Sequence, residues 1–264
     1  MENENIIIKP CSSCSNFVNF DLSRIKTKLD FLFDRKDFDE AERLMKYWID
    51  EAVINNNKRV ELELKNEYMG LLRKLNREED AIKIANDAYN LIYELNVQNS
   101  VSVGTIFINI GTVYKAFFRS REAKKYFDIA KEIYEKNLDR DDILFAGLYN
   151  NMGLMLVDIK EFDEALNLYN RAINILKINK KNELDCAITY LNIADLYYKK
   201  NNGNINEDIE VIINDCIESA WQYLNRENIL NDEYYRFVIE KCMPSFSFYG
   251  YFVYEKKLKD ILNK

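Results

Sequence analysis

The sequence predicts an all-α fold, a right-handed superhelical solenoid built from antiparallel helix pairs. Three observations predict it. Gly and Pro are scarce, 7 and 2 in 264 residues, whereas sheet-rich folds need turn residues far more often. Large apolar residues recur three and four apart, the spacing of a helix with one buried stripe. One pattern also returns every forty to forty-two residues, the mark of stacked repeats.

The elements follow from that periodicity. A polar tail over 1–20 precedes the repeats. Helix pairs are expected at 22–34 with 38–55, 57–74 with 78–96, and 99–117 with 121–137. Two more are expected at 141–158 with 162–178, and at 182–199 with 206–224. Asp37 and Asp141 are the N-cap candidates. The fifth pair has a longer internal turn, Lys200-Asn201-Asn202-Gly203-Asn204. The repeats therefore span 21–225, and residues 226–264 are expected to cap the open core face. Within that cap, Pro244 is expected to separate two helical stretches, the second from Phe246 to Leu262.

The repeat signature is explicit in three first helices: Phe107-Ile108-Asn109-Ile110-Gly111, Tyr149-Asn150-Asn151-Met152-Gly153 and Tyr190-Leu191-Asn192-Ile193-Ala194. Each reads aromatic, any, Asn, aliphatic, small. The second helices answer with Ala123, Phe127 and Ala130, then Ala165, Tyr169 and Ala172. Upstream traces are Ala41, Met45 and Trp48, and Ala81, Ala85 and Ala88. A small residue in each helix lets the paired helix approach closely. Two such helices cannot bury their stripes alone, so units stack on a shared core. With these residues the chain resembles the tetratricopeptide repeat family in its longer form of about forty-two residues. The match is sharpest over about 100–200 and lacks the family's usual proline after the second helix.

Composition narrows the function. The net charge is −7, a field that repels phosphate backbones and argues against nucleic-acid binding. The basic cluster Arg73-Lys74 with Arg119, Arg121, Lys124 and Lys125 reads as solvated helix ends. There is no histidine, which removes Ser–His–Asp and Cys–His chemistry and His-ligated zinc. No phosphate loop or ligand cluster is present, so the expectation is a non-enzymatic protein without cofactor or metal. The five cysteines read as reduced thiols. Cys11 and Cys14 form a lone Cys-x-x-Cys that lacks the further ligands a zinc site needs. Phe17, Val18 and Phe20 could anchor the tail on the first pair. The acidic start has no basic stretch ahead of a long apolar core, and no run approaches the ~20 residues that span a bilayer. A cytoplasmic protein without membrane contact is expected, and the Asn, Lys, Ile and Tyr usage suggests a low-GC bacterium.

In a right-handed stack the first helices line the concave groove. Asn109, Asn151 and Asn192 recur once per unit and are expected to form a ladder along it. An amide offers a donor and an acceptor together, matching the N–H and C=O of an extended peptide. Each bond contributes about 0.5–1.5 kcal/mol, so side-chain pockets must supplement three of them. The pocket candidates are Ile108, Thr112, Lys115, Asn150, Leu154, Val157, Leu191, Asp195 and Tyr198, with Arg73 and Lys74 extending the site. The same asparagines could instead bond between neighbouring first helices.

Kinesin light chains and bacterial peptide-pheromone receptors use similar long repeats with groove asparagines, and the chain resembles them at Asn109, Asn151 and Asn192. The resemblance implies a protein or peptide partner, held as an adaptor or receptor would hold it, or a pheromone-responsive regulator acting on a protein. No helix-turn-helix precedes the repeats, unlike the receptors that bind DNA. Ile108, Leu154 and Leu191 also depart from the Lys/Asn pattern that clamps a terminal carboxylate. A different reading is a scaffold, or a homodimer joined through the aromatic C-terminal helix with Phe248, Tyr249, Tyr251, Phe252 and Tyr254.

Overall fold

The computed structural model describes residues 20–226 and 232–263. All regular structure among them is helical: α1 Leu22–Asp34, α2 Phe38–Ile54, α3 Lys58–Lys74, α4 Glu78–Glu94, α5 Val101–Ala116 and α6 Ser120–Asn137. There follow α7 Ile143–Asp158, α8 Phe162–Ile178, α9 Asp185–Lys200, α10 Glu207–Leu224, α11 Glu233–Phe248 and α12 Phe252–Leu262. A single 3-10 turn, Lys180–Asn182, precedes α9. These bounds match the expected helices to within about three residues, except in the cap. There α11 runs through Pro244, and the break falls at Tyr249–Tyr251 beside Gly250 (φ 84°). Pro244 removes one N–H and costs a hydrogen bond, but a residue free to adopt positive φ is what ends the helix. Cys11, Cys14, Phe17 and Val18 lie outside the described residues.

The tight connections between helices share one device. Lys36, Asn56, Asn76, Phe118, Lys160, Asn202 and Gly250 take positive φ one residue after a helix cap. The next amide then reaches back five residues to a carbonyl: Asp37 to Leu32 (2.9 Å), Asn57 to Ala52 (2.8 Å), Arg77 to Leu72 (3.0 Å) and Glu161 to Leu156 (2.9 Å). This is the Schellman arrangement. Except after Asn202, where Asn206 caps the next helix, its last residue doubles as the N-cap of the following helix, and Asp37 and Asn57 also accept from Glu40 and Val60 amides. Asn tolerates the left-handed region, so sharp turns form with few glycines. The other N-cap expectation shifts by one: Asp142, not Asp141, accepts from the Leu144 amide at 2.9 Å, because α7 begins at Ile143.

The chain divides into two compact units, ending and beginning at Val97 and Gln98. In the first, α1 to α4 pack in chain order on Ile25, Leu29, Met45, Ala52, Met69, Leu72, Ala81, Ala85 and Ala88. Phe20 meets Trp48 edge-on at 6.0 Å. In the second, α5–α6, α7–α8, α9–α10 and α11–α12 are pairs, and α5, α7, α9 and α11 lie side by side. The small residues of α5 and α7 work as the repeat pattern implies. A Cβ at Gly111 would meet the Phe127 ring at 2.9 Å, and one at Gly153 would meet the Tyr169 ring at 2.4 Å. Gly104 is filled in the same way by Tyr134.

Cys186, Cys216 and Cys242 are buried and free. Burial pushes the Cys186 thiol up to about 11 and Cys216 to about 12, so they behave as small apolar core groups. No helix among the described residues is long and apolar enough to cross a membrane.

Candidate functional site

In the second unit, helical spacing brings one stripe of each first helix to a common face. On α5 the stripe is Ser102, Thr105, Asn109, Thr112 and Ala116. On α7 it is Leu144, Gly147, Asn151, Leu154 and Asp158, and on α9 Asp185, Ile188, Asn192, Asp195 and Lys199. Every one of these residues is half-buried or exposed. The three asparagines therefore occupy one register position on adjacent helices, as the repeat spacing predicts.

Their amides are not idle. Asn151 donates to the Gly147 carbonyl at 2.9 Å and accepts from the Thr112 hydroxyl of α5 at 3.4 Å. Asn192 donates to Asn150 at 3.4 Å, and Asn150 donates to Thr189 of α9 at 3.0 Å. Thr112 shares its one hydroxyl hydrogen with the nearer Ile108 carbonyl at 2.8 Å, and Thr189 donates to the Asp185 carbonyl. The asparagines thus join neighbouring first helices, through two bonds at the long limit of the range. Asn109, too, is engaged within the fold.

The pocket candidates separate into three groups. Ile108, Val157 and Leu191 are buried. The helical turn places them in the core and not on the open face, which corrects their assignment as lining residues. Leu154 and Thr112 remain half-open on the face. Lys115, Asp195 and Tyr198 are engaged by neighbours. Lys115 faces Asp158 at 3.6 Å, and Asp158 also receives Lys199 at 3.3 Å and the Ser120 hydroxyl at 3.1 Å.

Asp195 and Tyr198 meet the end of α11. The Tyr249 hydroxyl donates to Asp195 at 2.8 Å, and the Tyr198 ring packs edge-on against Phe248 at 5.2 Å. Burial raises the Asp195 carboxyl above its ordinary range, with the Tyr249 bond opposing. Asp185, at the other end of α9, is raised by burial too and faces Tyr234 of α11. The C-terminal segment therefore covers the α9 edge of the face. The repeat pattern ends before this segment, so the sequence offered no signal for it beyond the density of aromatics.

Arg73 and Lys74 belong to the first unit, where burial lowers the Arg73 guanidinium from its usual value and Lys74 sits over the Phe33 ring at 4.1 Å. Phe118 was not anticipated. It is 99% exposed at φ 60° in the α5–α6 turn, beside Arg119, Arg121 and Lys160 of the adjoining surface. The only advance signal was that turns at Asn56 and Asn76 carry asparagine where this one carries phenylalanine. No group of three or more metal-ligating side chains comes together among the described residues.

Paired helices stacked through small-to-aromatic contacts, with a layer of first helices presenting one polar register, define a tetratricopeptide-type repeat fold. Comparison with known proteins agrees. Residues 145–178, which take in most of α7 and all of α8, match the tetratricopeptide repeat family. A TPR repeat-containing protein of Dictyostelium discoideum is 28% identical over 112 residues, 42% of this chain and 6% of its own length. The chain thus spans a small fraction of that relative.

Among solved structures, BtubC (BKLC) of P. vanneervenii superimposes with a TM-score of 0.63 at 19% identity, covering 76% of this chain and 79% of that one. A putative kinesin light chain of Podosopora anserina with nearly identical TPR-like repeats gives 0.52 at 10% identity, over 76% and 93%. The fold is that of a kinesin-light-chain-like repeat solenoid, an architecture used generally for protein–protein interaction.

Proposed function

We propose that the α5–α7–α9 face holds an extended peptide segment of a protein partner, as a cytoplasmic adaptor or receptor would. The observation that carries this reading is the half-open register of Asn109, Asn151 and Asn192, flanked by Leu144, Leu154 and Ile188. The two 3.4 Å bonds at Asn151 and Asn192 are weak enough to be exchanged for bonds to a peptide backbone. The cross-helix links then serve to hold the amides in position, which lowers the entropy lost on binding. Apolar contacts on the same face supply the remaining affinity.

The test uses peptides selected from a displayed random dodecapeptide library on the full chain. Asn151→Ala and Leu154→Asp are each expected to weaken the selected peptides by about tenfold or more, roughly 1.4 kcal/mol, with little change in thermal midpoint. A large loss of stability with unchanged affinity would assign the asparagines to inter-repeat bonding alone.

A second reading is favoured by a separate observation. In the C-terminal pair Tyr249, Tyr251 and Tyr254 are spent on Asp195, Asn214 and Glu218, while Phe248, Phe252 and Val253 remain 61%, 64% and 67% exposed. These three would join two copies of the chain. Light scattering would then report a dimer that Phe252→Asp dissociates, and a monomer at high concentration would refute it.

A further inference from the structure

Among the described residues of the second unit, three arginines lie over tyrosine rings. Arg119 stands 5.2 Å from the Tyr114 centroid, Arg171 4.3 Å from Tyr149 and Arg226 4.3 Å from Tyr223. In two of these stacks the fold adds a carboxylate to the guanidinium. Glu122 accepts two bonds from Arg119 at 2.6 Å each, and Glu183 accepts one from Arg226 at 2.6 Å. Arg171 differs. Its Nη2 donates to the Tyr149 hydroxyl at 2.6 Å, and it pairs with no carboxylate among the described residues. Burial raises the Tyr149 phenol, so that partner stays neutral and leaves the charge of Arg171 unbalanced.

Arg171 also lines a cleft of about 300 Å³, together with Glu135, Leu138, Arg140, Phe145 and Tyr149. Glu135 is taken by Lys131 at 2.9 Å. Arg140, in the connection between α6 and α7, forms no ion pair among the described residues, although Asp139, Asp141 and Asp142 flank it in sequence. Phe145 and Tyr149 are buried with their rings 5.5 Å apart, and Tyr134 meets Phe145 edge-on. The wall of the cleft is therefore aromatic and fixed, while both arginines are exposed. Phe145 and Tyr149 are not members of the α7 stripe on the α5–α7–α9 face, so the cleft is a different site from that face.

We propose that this cleft binds a small monocarboxylic acid, whose carboxylate completes the Arg171 stack and whose apolar or aromatic body lies against Leu138 and Phe145. Arginine presents five N–H groups in a planar fork that matches a carboxylate, and Tyr149 uses one of them. Tyr149 acts as a positioning residue: it fixes the guanidinium before the ligand arrives, which lowers the entropy lost on binding. Arg140 adds a second positive charge. Glu135 and the three aspartates beside Arg140 disfavour a dianion such as phosphate. The volume lies at the small end for ligand pockets, which suits one ring with its acid group.

Phenylacetate is the probe, titrated into the isotope-labelled full chain and followed by amide shifts in two-dimensional NMR. Saturable shifts around residues 135–149 and Arg171 are expected, with a Kd on the order of 1 mM because so small a ligand makes few contacts. Phenylacetamide, acetate and inorganic phosphate are each expected to bind about tenfold more weakly or worse. Arg171→Gln is expected to weaken phenylacetate about tenfold, and Tyr149→Phe severalfold. Arg226→Gln, in a stack the fold already completes, is expected to leave it unchanged. If Arg171→Gln lowers the circular dichroism melt, Arg140→Gln in its exposed connection carries the test, with a severalfold loss expected. Absence of saturation up to about 20 mM, equal binding of phenylacetamide or phosphate, or unchanged affinity in Arg171→Gln and Arg140→Gln would overturn the site. Equal binding of a capped Ala-Glu-Ala tripeptide would overturn it too, by giving the cleft to an acidic side chain of a protein partner.

Discussion

Two glycines on one helix do opposite things. Gly153 is buried beneath the Tyr169 ring, with no room for a methyl group, whereas Gly147 is exposed with open space where its Cβ would be. Glycine costs an α-helix about 1 kcal/mol relative to alanine, so only close packing repays it at Gly153. Gly153→Ala is expected to destabilise the protein by about 1–3 kcal/mol through overpacking, because Tyr169 is enclosed on all sides. Gly147→Ala is expected to stabilise it by about 0.5–1 kcal/mol. Urea titration followed by circular dichroism reads both, and a shared sign would contradict the packing account. Gly153 and Tyr169 were legible in the sequence as a small residue and an aromatic in register. That the Tyr169 hydroxyl would be left without a partner among the described residues was not, because register shows which ring packs but not what its tip meets.

At the scale of the element, the turns explain how a chain so poor in glycine folds back so often. A positive-φ residue closes one helix and the next residue caps the following one, so three residues suffice. Asparagine fills this position at Asn56 and Asn76 and also takes positive φ at Asn96 and Asn202, where longer connections follow; the sequence displays these residues but not their backbone conformation. Phe118 breaks the rule, since a bulky L-residue in the left-handed region carries a steric penalty. Its ring, 99% exposed, makes no packing contact to offset that penalty. Phe118→Asn is therefore expected to raise stability by up to about 1 kcal/mol, measured as a shift in the urea midpoint. A fall would mean that the ring packs in solution. Helix positions were legible because each has a 3.6-residue apolar stripe. The continuation of α11 past Pro244 was not, because packing on α9 outweighs one lost hydrogen bond.

At the scale of the whole molecule, Glu42 in the first unit and Asp195 and Asp185 in the second contribute to stability with opposite responses to acid. In the first, Glu42 on α2 accepts from Lys46, with Arg77 and Tyr68 also bonded to it, and these partners lower it to about 2 against burial. Its contribution is complete above about pH 4.5 and is lost as the pH falls toward 2, because the unfolded chain takes up the proton first. In the second unit burial raises Asp195 and Asp185. There the folded state takes up the proton first, so acidification adds stability until the unfolded carboxylates protonate near pH 4. Differential scanning calorimetry of the full chain between about pH 7 and pH 3 should resolve a transition that falls on acidification and another that holds or rises. Glu42→Gln should flatten the acid response of the first, and Asp195→Asn should reduce the acid gain of the second while leaving the first unchanged. A single transition that falls uniformly, with both substitutions silent, would show that neither carboxylate governs the stability of its unit.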